Sequence, residues 1–444
     1  MKTVLLIDDD ESFRVLLTEL LRSRGWNVIQ ADDGDTGLRL ALENEPEIVV
    51  CDLLMPRCNG YQFCRALNAR RASVPKTKII VSSGSGYAVD RINALESGAD
   101  EFVTKPVDPD DLFAIMERLT GSRCADLSKP TAGISEDGTT RVRFWGVRGS
   151  IPAPGPDTVY YGGNTSCVEV RADGELIILD AGTGIRGLGQ ELQREFDGQP
   201  IRLTILVSHT HWDHIQGFPF FAPAYDPKNQ VRILAFEGPR KGLEATLAIQ
   251  MESPYFPISM QEMPGNICFE ELKALDFDLG RVQVKANFMN HPGVCAGYRL
   301  NTSAGAVVYF PDNELFGRMH NDEPPKTPKE AAAYARRQDE KLQEFIQGAD
   351  VVISDSQYDS SEYPGHVGWG HSCVDDVVDM GLAAGVKQLF LFHHDPDHAD
   401  RQIAQMLGSA RKRVSEKGGT MRVEAAREGM EIILKRASAS VAAT

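Results

Sequence analysis

No apolar run in this chain approaches the ~20 residues that a membrane-spanning helix needs, and the N-terminus turns acidic at Asp8 after the short run VLLI. Neither a span nor a signal peptide is expected. Positive charge is also scarce. Lys and Arg number 47 against 63 Asp and Glu, for a formal net charge of −16. That balance argues against a general affinity for nucleic-acid backbones or anionic lipid, so stable DNA binding is not expected. The eight cysteines are dispersed and form no CxxC pair, which implies reduced thiols, a cytoplasmic setting and no disulfide framework. What is present is the composition of a soluble globular protein, 42% hydrophobic and 25% charged, on 444 residues. That length is too great for one ordinary core, so two or more domains are expected.

From Lys2 to about Thr120, short apolar runs alternate with amphipathic segments. VLLI (4–7), IVVC (48–51), KIIVSS (78–83) and EFVTK (101–105) are apolar on both faces, as buried parallel strands are, while Phe13, Leu16, Leu17, Leu20 and Leu21 recur at helical spacing. A doubly wound α/β domain over 1–120 is expected, with its site at the carboxyl ends of the strands. Residues 121–140 are rich in Gly, Ser, Thr, Pro and charge and have the character of a linker. A second, larger α/β domain follows over 141–436, with strand-like runs such as GELIILDAG, IRLTILVS, AVVYFPD, DVVISDS and KQLFLFHH and a helical stretch at 328–347. No repeat of fixed period is visible, and the tail 437–444 is expected to be disordered.

Asp8 and Asp9 follow the first of these strands, Asp52 ends the next, Ser83 ends another and Lys105 follows the last. In a parallel sheet those ends share one edge, so carboxylates suited to Mg²⁺ converge with a hydroxyl and an ammonium able to hold phosphoryl oxygens. Asp10 and Glu11 are better explained as helix caps. The acidic pair Asp8-Asp9, the stretch from Asp52 to Gly60, Ser83-Gly84 and Lys105-Pro106 together resemble a response-regulator receiver domain, a five-stranded parallel sheet. The resemblance implies that Asp52 accepts a phosphoryl group from a histidine kinase and that Asp8, Asp9 and Asp52 hold Mg²⁺. It further implies that Ser83, Lys105 and the aromatic at Phe102 act as the switch, although Phe102 also suits a core position.

The run LTILVS ends in SHTHWDHIQG (208–217). In extended chain His209, His211 and Asp213 face one way while His214 turns to a neighbouring position, so one loop can feed two metals. Imidazoles with carboxylate suit Zn²⁺, and also Fe or Mn. His291, Asp312 and His393 stand where later apolar runs meet polar turns and complete a candidate ligand set. The constellation resembles the metallo-β-lactamase superfamily, which implies an αββα sandwich. By that resemblance His209, His211 and His291 hold one metal, Asp213, His214 and His393 the other, and Asp312 bridges them. The choice between His393 and His394 falls on His393 because it directly follows the strand. Asp180, in LDAGTG, is implied to orient a ligand.

GWGHS (368–372), FWGVRGSIP (144–152) and YYGGNTSC (160–167) resemble the phosphodiesterase branch of that superfamily, which includes tRNase Z and class II cyclic-nucleotide phosphodiesterases. The branch implies hydrolysis of a small phosphodiester. His371 then faces the scissile phosphate as general acid, with His366 a weaker candidate, and Asp213 accepts a proton from the attacking water. MESPYFPISMQEMPG (251–265) suits core or dimer packing better than a base-stacking lid. A thioester or lactone hydrolase and a catalytically silent signalling module are the competing functions. A homodimer is one route by which the first domain would act on the second.

Overall fold

The computed structural model describes residues 2–55, 57–70, 74, 77–84, 88–107, 109–120, 138–236, 243–252, 255–260, 263, 265–318 and 328–436. Two compact units emerge, Met1–Ala125 and Asp126–Thr444. Most of the expected linker, 121–137, and the tail, 437–444, lie outside the described residues.

The first unit alternates strictly: β1 (Thr3–Ile7), α1 (Glu11–Ser23), β2 (Asn27–Ala31), α2 (Gly34–Asn44), β3 (Ile48–Asp52), α3 (Gly60–Asn68), β4 (Lys78–Ser83), α4 (Ala88–Glu96), β5 (Glu101–Thr104) and α5 (Pro109–Leu119). Its five strands pair in the order β2-β1-β3-β4-β5, all parallel. Successive residues of β1 enter opposite cores. Leu5 and Ile7 pack with Val49 and Ile79, while Val4 and Leu6 pack with Ile48 and Val50. Burial on both faces is why these strands are unbroken apolar runs. The edge strand β2, NVIQA, exposes Asn27 and Gln30 and so lacks such a run. Asp10 caps α1 by accepting from the Ser12 and Phe13 amides.

The second unit begins with β6 (Thr139–Gly146), whose first two residues were expected in the linker. There follow β7 (Cys167–Ala172), β8 (Glu175–Leu179), α6 (Gly184–Phe196), β9 (Arg202–Leu206), α7 (Trp212–Ile215), β10 (Gln230–Ala235), α8 (Leu243–Ile249) and β11 (Asn266–Glu271). Next come β12 (Asp276–Leu279), β13 (Val282–Phe288), β14 (Ala296–Thr302), β15 (Gly305–Phe310), α9 (Pro328–Ile346), β16 (Val351–Asp355), α10 (Val374–Ala383), β17 (Gln388–Phe392), α11 (Asp400–Glu416), β18 (Arg422–Ala425) and β19 (Glu431–Lys435). The strands form two seven-stranded sheets, β11-β10-β9-β8-β7-β6-β19 and β12-β13-β14-β15-β16-β17-β18.

Each sheet runs through three antiparallel pairings and then three parallel ones. This repetition of architecture has no counterpart in a repeated residue pattern. Val142, Val170 and Ile177 of one sheet meet Val284, Tyr298, Val307 and Ile353 of the other in a shared core. Leu188 and Leu192 of α6 cover the outer face of the first sheet, and Val377, Met406 and Ala410 of α10 and α11 cover that of the second. The layers are therefore α, β, β, α. In the 251–265 stretch Met251 and Met263 are core residues with Phe256 and Met260 against them, so packing prevails there, although Tyr255 is exposed. Among the described residues six cysteines are free thiols.

The FWGVRGS motif owes its arginine to packing. Arg148 is fully buried. Its Nε donates to the Gly162 carbonyl at 2.8 Å, and its Nη1 to the carbonyls of Asp395 at 2.9 Å and His398 at 2.7 Å. Arg148→Met would leave three carbonyls without that donor, two of them in buried hydrogen bonds and one part-buried, each worth about 1–3 kcal/mol when buried and unsatisfied. A loss of at least about 2 kcal/mol is expected. Urea denaturation should show it in the transition of the C-terminal unit and not in that of the N-terminal one.

Candidate functional site

At the carboxyl edge of the first sheet, β1 and β3 lie side by side and deliver Asp8 and Asp52, both buried. Lys105, just beyond β5, reaches across to both: its Nζ lies 2.7 Å from Asp8 Oδ2 and 2.5 Å from Asp52 Oδ1. Burial raises the Asp52 pKa despite the Lys105 ammonium beside it. Burial opposes the Lys105 charge, but Asp52 and Asp8 outweigh it and raise that pKa too. One ammonium thus serves two buried carboxylates, with Asp9 exposed next to Asp8. The excess of negative charge fits a hard divalent cation. Ser83 is buried at the end of β4, and the Phe102 ring is buried in the core with Val81 and Ala99. Gly60 has a steric reason to be glycine, since a Cβ there would lie 2.7 Å from the Asp52 carbonyl oxygen.

In the second unit β9, β13, β15, β16 and β17 end at the site. The loop after β9 supplies His209, His211, Asp213 and His214, and the loops after β13, β15 and β17 supply His291, Asp312 and His393. Two four-membered nests result, His209, His211, His291 and Asp312 in one and Asp213, His214, Asp312 and His393 in the other, and Asp355, His371 and His393 form a third, three-membered group, each with donor atoms within 4.8 Å of one another. Asp312 divides its oxygens between them. Its Oδ2 lies 3.5 Å from His209 Nε2 and 3.7 Å from His291 Nε2, and its Oδ1 lies 3.2 Å from the Nε2 atoms of both His214 and His393. Asp213 Oδ2 is 3.2 Å from His214 Nε2 and 3.0 Å from His393 Nε2. His209 Nε2 and Asp312 Oδ1 are buried without a hydrogen-bond partner. Orphaned donor atoms aimed into a His-and-carboxylate cluster fit a pair of divalent cations.

The far side is held in four of the imidazoles, His209, His214, His291 and His393. His214 Nδ1 lies 2.7 Å from Asp180 Oδ2, which also accepts from the Ser208 and Tyr309 hydroxyls. His209 Nδ1 meets Ser208 Oγ at 3.1 Å, His291 donates from Nδ1 to the Gly370 carbonyl at 2.9 Å, and His393 Nδ1 meets Gln357 Oε1 at 3.2 Å. Such partners set ring orientation and tautomer. Burial lowers the pKa of His209, His211 and His291 and keeps them neutral. Burial opposes charge on Asp213 and Asp312 as well, but His214 and His393 outweigh it and hold both ionised.

His371 stands beside the nests. Its Nδ1 is 3.2 Å from Asp355 Oδ2 and 4.0 Å from Asp312 Oδ2. Burial opposes its protonation, yet Asp355 and then Asp312 prevail and push its pKa up to about 9. His394 turns away to the Ala426 carbonyl, and His366 stacks on Tyr358 with ring centroids 4.1 Å apart, outside both nests. Sequence reasoning passed over Asp355, Gln357 and Glu314. The first ends the quoted run DVVISD, the same strand-end signal that marked Asp312. Buried Glu314 accepts from the Gly368 and Gly370 amides and from the Tyr363 hydroxyl, long-range contacts with no local signature.

Residues 4–117 match the family of response regulator receiver domains, and residues 176–394 match the β-lactamase superfamily domain. The chain therefore carries a receiver domain followed by a domain of the metallo-β-lactamase fold. Among curated relatives, it is 29% identical over 136 residues to the alkaline phosphatase synthesis transcriptional regulatory protein PhoP of Bacillus subtilis, covering 31% of this chain and 55% of that one. It is 38% identical over 111 residues to the DNA-binding response regulator MtrA of Mycolicibacterium smegmatis, covering 25% and 47%. The chain spans about half the length of the curated relatives it matches. Among solved structures, the metallo-β-lactamase fold protein YhfI of Bacillus subtilis is similar at 15% identity and TM-score 0.46, covering 67% of this chain and 99% of that one. A diphosphatase of the PhnP family is similar at 16% and 0.43, covering 67% and 97%. No helix among the described residues is long and apolar enough to cross a membrane.

Gly149 packs on the His393 ring, and a Cβ there would come within 2.3 Å of two ring atoms. Gly149→Ala should displace that imidazole and weaken one nest selectively. Elemental analysis of protein loaded with Zn²⁺ should then fall from about two metals per chain toward one.

Proposed function

We propose that this chain is a two-component response regulator whose output domain is a dinuclear-metal hydrolase of small phosphodiesters, governed by phosphorylation of Asp52. The observation that carries the phosphodiesterase reading is His371, a buried imidazole held by Asp355 at the rim of two complete ligand nests. A hydrolase that expels an alkoxide needs an acid beside its metal-holding set, and a His371 with raised pKa is charged at neutral pH and ready to donate. His209, His211 and His291 would hold one cation and Asp213, His214 and His393 the other, with Asp312 shared. Zn²⁺ suits the donors, as do Mn²⁺ and Fe. When bound, the cations would supply Lewis acidity that makes hydroxide available at neutral pH and draws charge from the phosphoryl oxygens.

The chain's own groups divide the remaining work. Asp213, anchored by the Ser150 amide at 2.8 Å, would accept the proton given up by the attacking oxygen. His371 would pass a proton from Nε2 to the departing oxygen while Asp355 retains Nδ1. In the receiver, Asp8, Asp9 and Asp52 would hold Mg²⁺, Asp52 would take a phosphoryl group from a histidine kinase, and Lys105 would follow the phosphoryl oxygens with Ser83 and Phe102. Moving the Lys105 ammonium away from Asp8 biases the receiver between two packings.

His211→Ala is expected to lose metal and activity together, whereas His371→Ala keeps both metals and loses turnover by about 10²–10⁴-fold. Metal content and steady-state rates on bis(p-nitrophenyl) phosphate, p-nitrophenyl phosphate and a chromogenic lactam test this on one preparation. The diester should be cleaved fastest by the wild type, and a faster lactam rate overturns the reading.

Beryllofluoride with Mg²⁺ should change the diesterase kcat/KM several-fold, on the order of 1–3 kcal/mol of coupling. Asp52→Asn should be unresponsive, with basal hydrolysis and the metal content of the hydrolase site intact. Equal kinetics with and without the mimic, once its binding to wild type is confirmed, would exclude direct control of catalysis.

A further inference from the structure

Glu314 is a fully buried carboxylate two residues after Asp312, and it belongs to none of the ligand groups at the site. Its oxygens accept from the Gly368 amide at 2.9 and 3.0 Å, from the Gly370 amide at 2.9 Å and from the Tyr363 hydroxyl at 2.5 Å. Donors converging in this way need a side chain that only accepts, and an ionised carboxylate brings no N–H of its own. Glutamine would set its NH2 against at least one of the two amides.

The main chain of the same residue holds the loop that carries His291. The Glu314 amide donates to the Asn290 carbonyl at 2.9 Å, and the Asn290 side chain donates to the Glu314 carbonyl at 2.7 Å. His291 is thereby bracketed. The residue before it is tied to the Glu314 backbone, and its ring donates from Nδ1 to the carbonyl of Gly370, the residue tied to the Glu314 carboxylate. That bond keeps the proton on Nδ1 and leaves Nε2 bare, 3.7 Å from Asp312 Oδ2, as a metal ligand requires. Gly370 approaches the ring closely. A Cβ there would lie 2.4 Å from His291 Nδ1, and its φ of +85° is left-handed, so glycine is needed on both counts. His371 follows Gly370 directly, so the amide that Glu314 holds also fixes where the His371 backbone begins, while Asp355 holds its ring.

We infer that Glu314 is a positioning residue that aligns His291 and His371 together, so that one buried carboxylate sets both the first cation and the proton donor. The inference rests on the dinuclear phosphodiesterase reading above. Glu314, being fully buried, acts through the backbone of residues 368–370 and not on substrate.

The test uses the full-length protein, zinc titration against a chromogenic chelator, and turnover of bis(p-nitrophenyl) phosphate. Glu314→Gln should weaken one of the two zinc ions by about 10–100-fold and leave the other within about two-fold. With zinc raised until both sites are filled, kcat should stay about ten-fold or more below wild type at a similar KM, because His371 remains displaced. Imidazole NMR of the zinc-loaded wild type should show the His291 proton on Nδ1 protected from exchange, and the variant should lose that protection. Tyr363→Phe removes the hydroxyl and keeps both amide bonds, so it should retain both zinc ions. A loss there equal to that of Glu314→Gln overturns the route through the amides. Where Glu314→Gln does not fold, Glu314→Asp decides: it keeps the charge, withdraws the carboxylate by one methylene and should weaken the same zinc ion. Wild-type affinity for both ions in the deciding variant overturns the inference, as do equal weakening of both ions and full recovery of kcat by added zinc. If the wild type cleaves no ester, the phosphodiesterase reading fails, and zinc affinity with the Nδ1 proton judges Glu314 on its own.

Discussion

The carboxylate of Asp312 is the constraint on which the hydrolase unit turns. It is buried where the two sheets meet, and its two oxygens face different imidazole pairs, His209 with His291 and His214 with His393. Burying an ionised carboxylate is costly unless cations or hydrogen bonds compensate. Here the compensation must come from both sheets at once, because β9 carries two of those imidazoles and β13 and β17 carry the others. Registry between the sheets, set by the core they share, is therefore a condition for the site to exist.

A second tier of buried carboxylates carries that registry outward. Asp180, on the first sheet, meets His214 of its own sheet and Tyr309 of the other. Asp355 accepts from the Asn313 and Ser372 amides and holds His371. Glu314 fixes the glycine loop whose Gly370 carbonyl orients His291. Asn313 and Glu314 also bond to Asn290, the residue before His291. The tripeptide Asp312-Asn313-Glu314 thus touches the metal nests, the His291 loop and the His371 loop. Single changes within it should have consequences that are not additive.

The receiver solves a related problem with a cheaper device. Two buried carboxylates at the ends of adjacent parallel strands share one lysine ammonium, delivered from the far edge of the same sheet. A parallel sheet makes this possible because every strand ends on one side, and the crevice opens where the strand order reverses between β1 and β3. The hydrolase sheets obey the same rule in their parallel halves. Both sites in this chain are therefore made of strand-end residues, which is why so many of their members announce themselves as an Asp, His or Lys directly after an apolar run.

That local signal sets the limit of what the sequence alone determined. It was enough for the two α/β domains, for the carboxylate edge at Asp8 and Asp52, and for placing His209, His211, Asp213, His214, His291, Asp312 and His393 at strand ends, because periodicity and a polar residue closing an apolar run are properties of neighbours in the chain. It overlooked β2, an edge strand with too little burial to show a pattern, and it revealed nothing of the matching pairing order of the two sheets. Tertiary structure alone decided which oxygen of Asp312 faces which imidazole, that buried His394 turns to the Ala426 carbonyl, and that Asp355, Glu314 and Gln357 join Asp180 in holding the cluster from behind. These are contacts between residues tens to hundreds of positions apart, and their energies depend on distance and burial, which no linear spacing encodes.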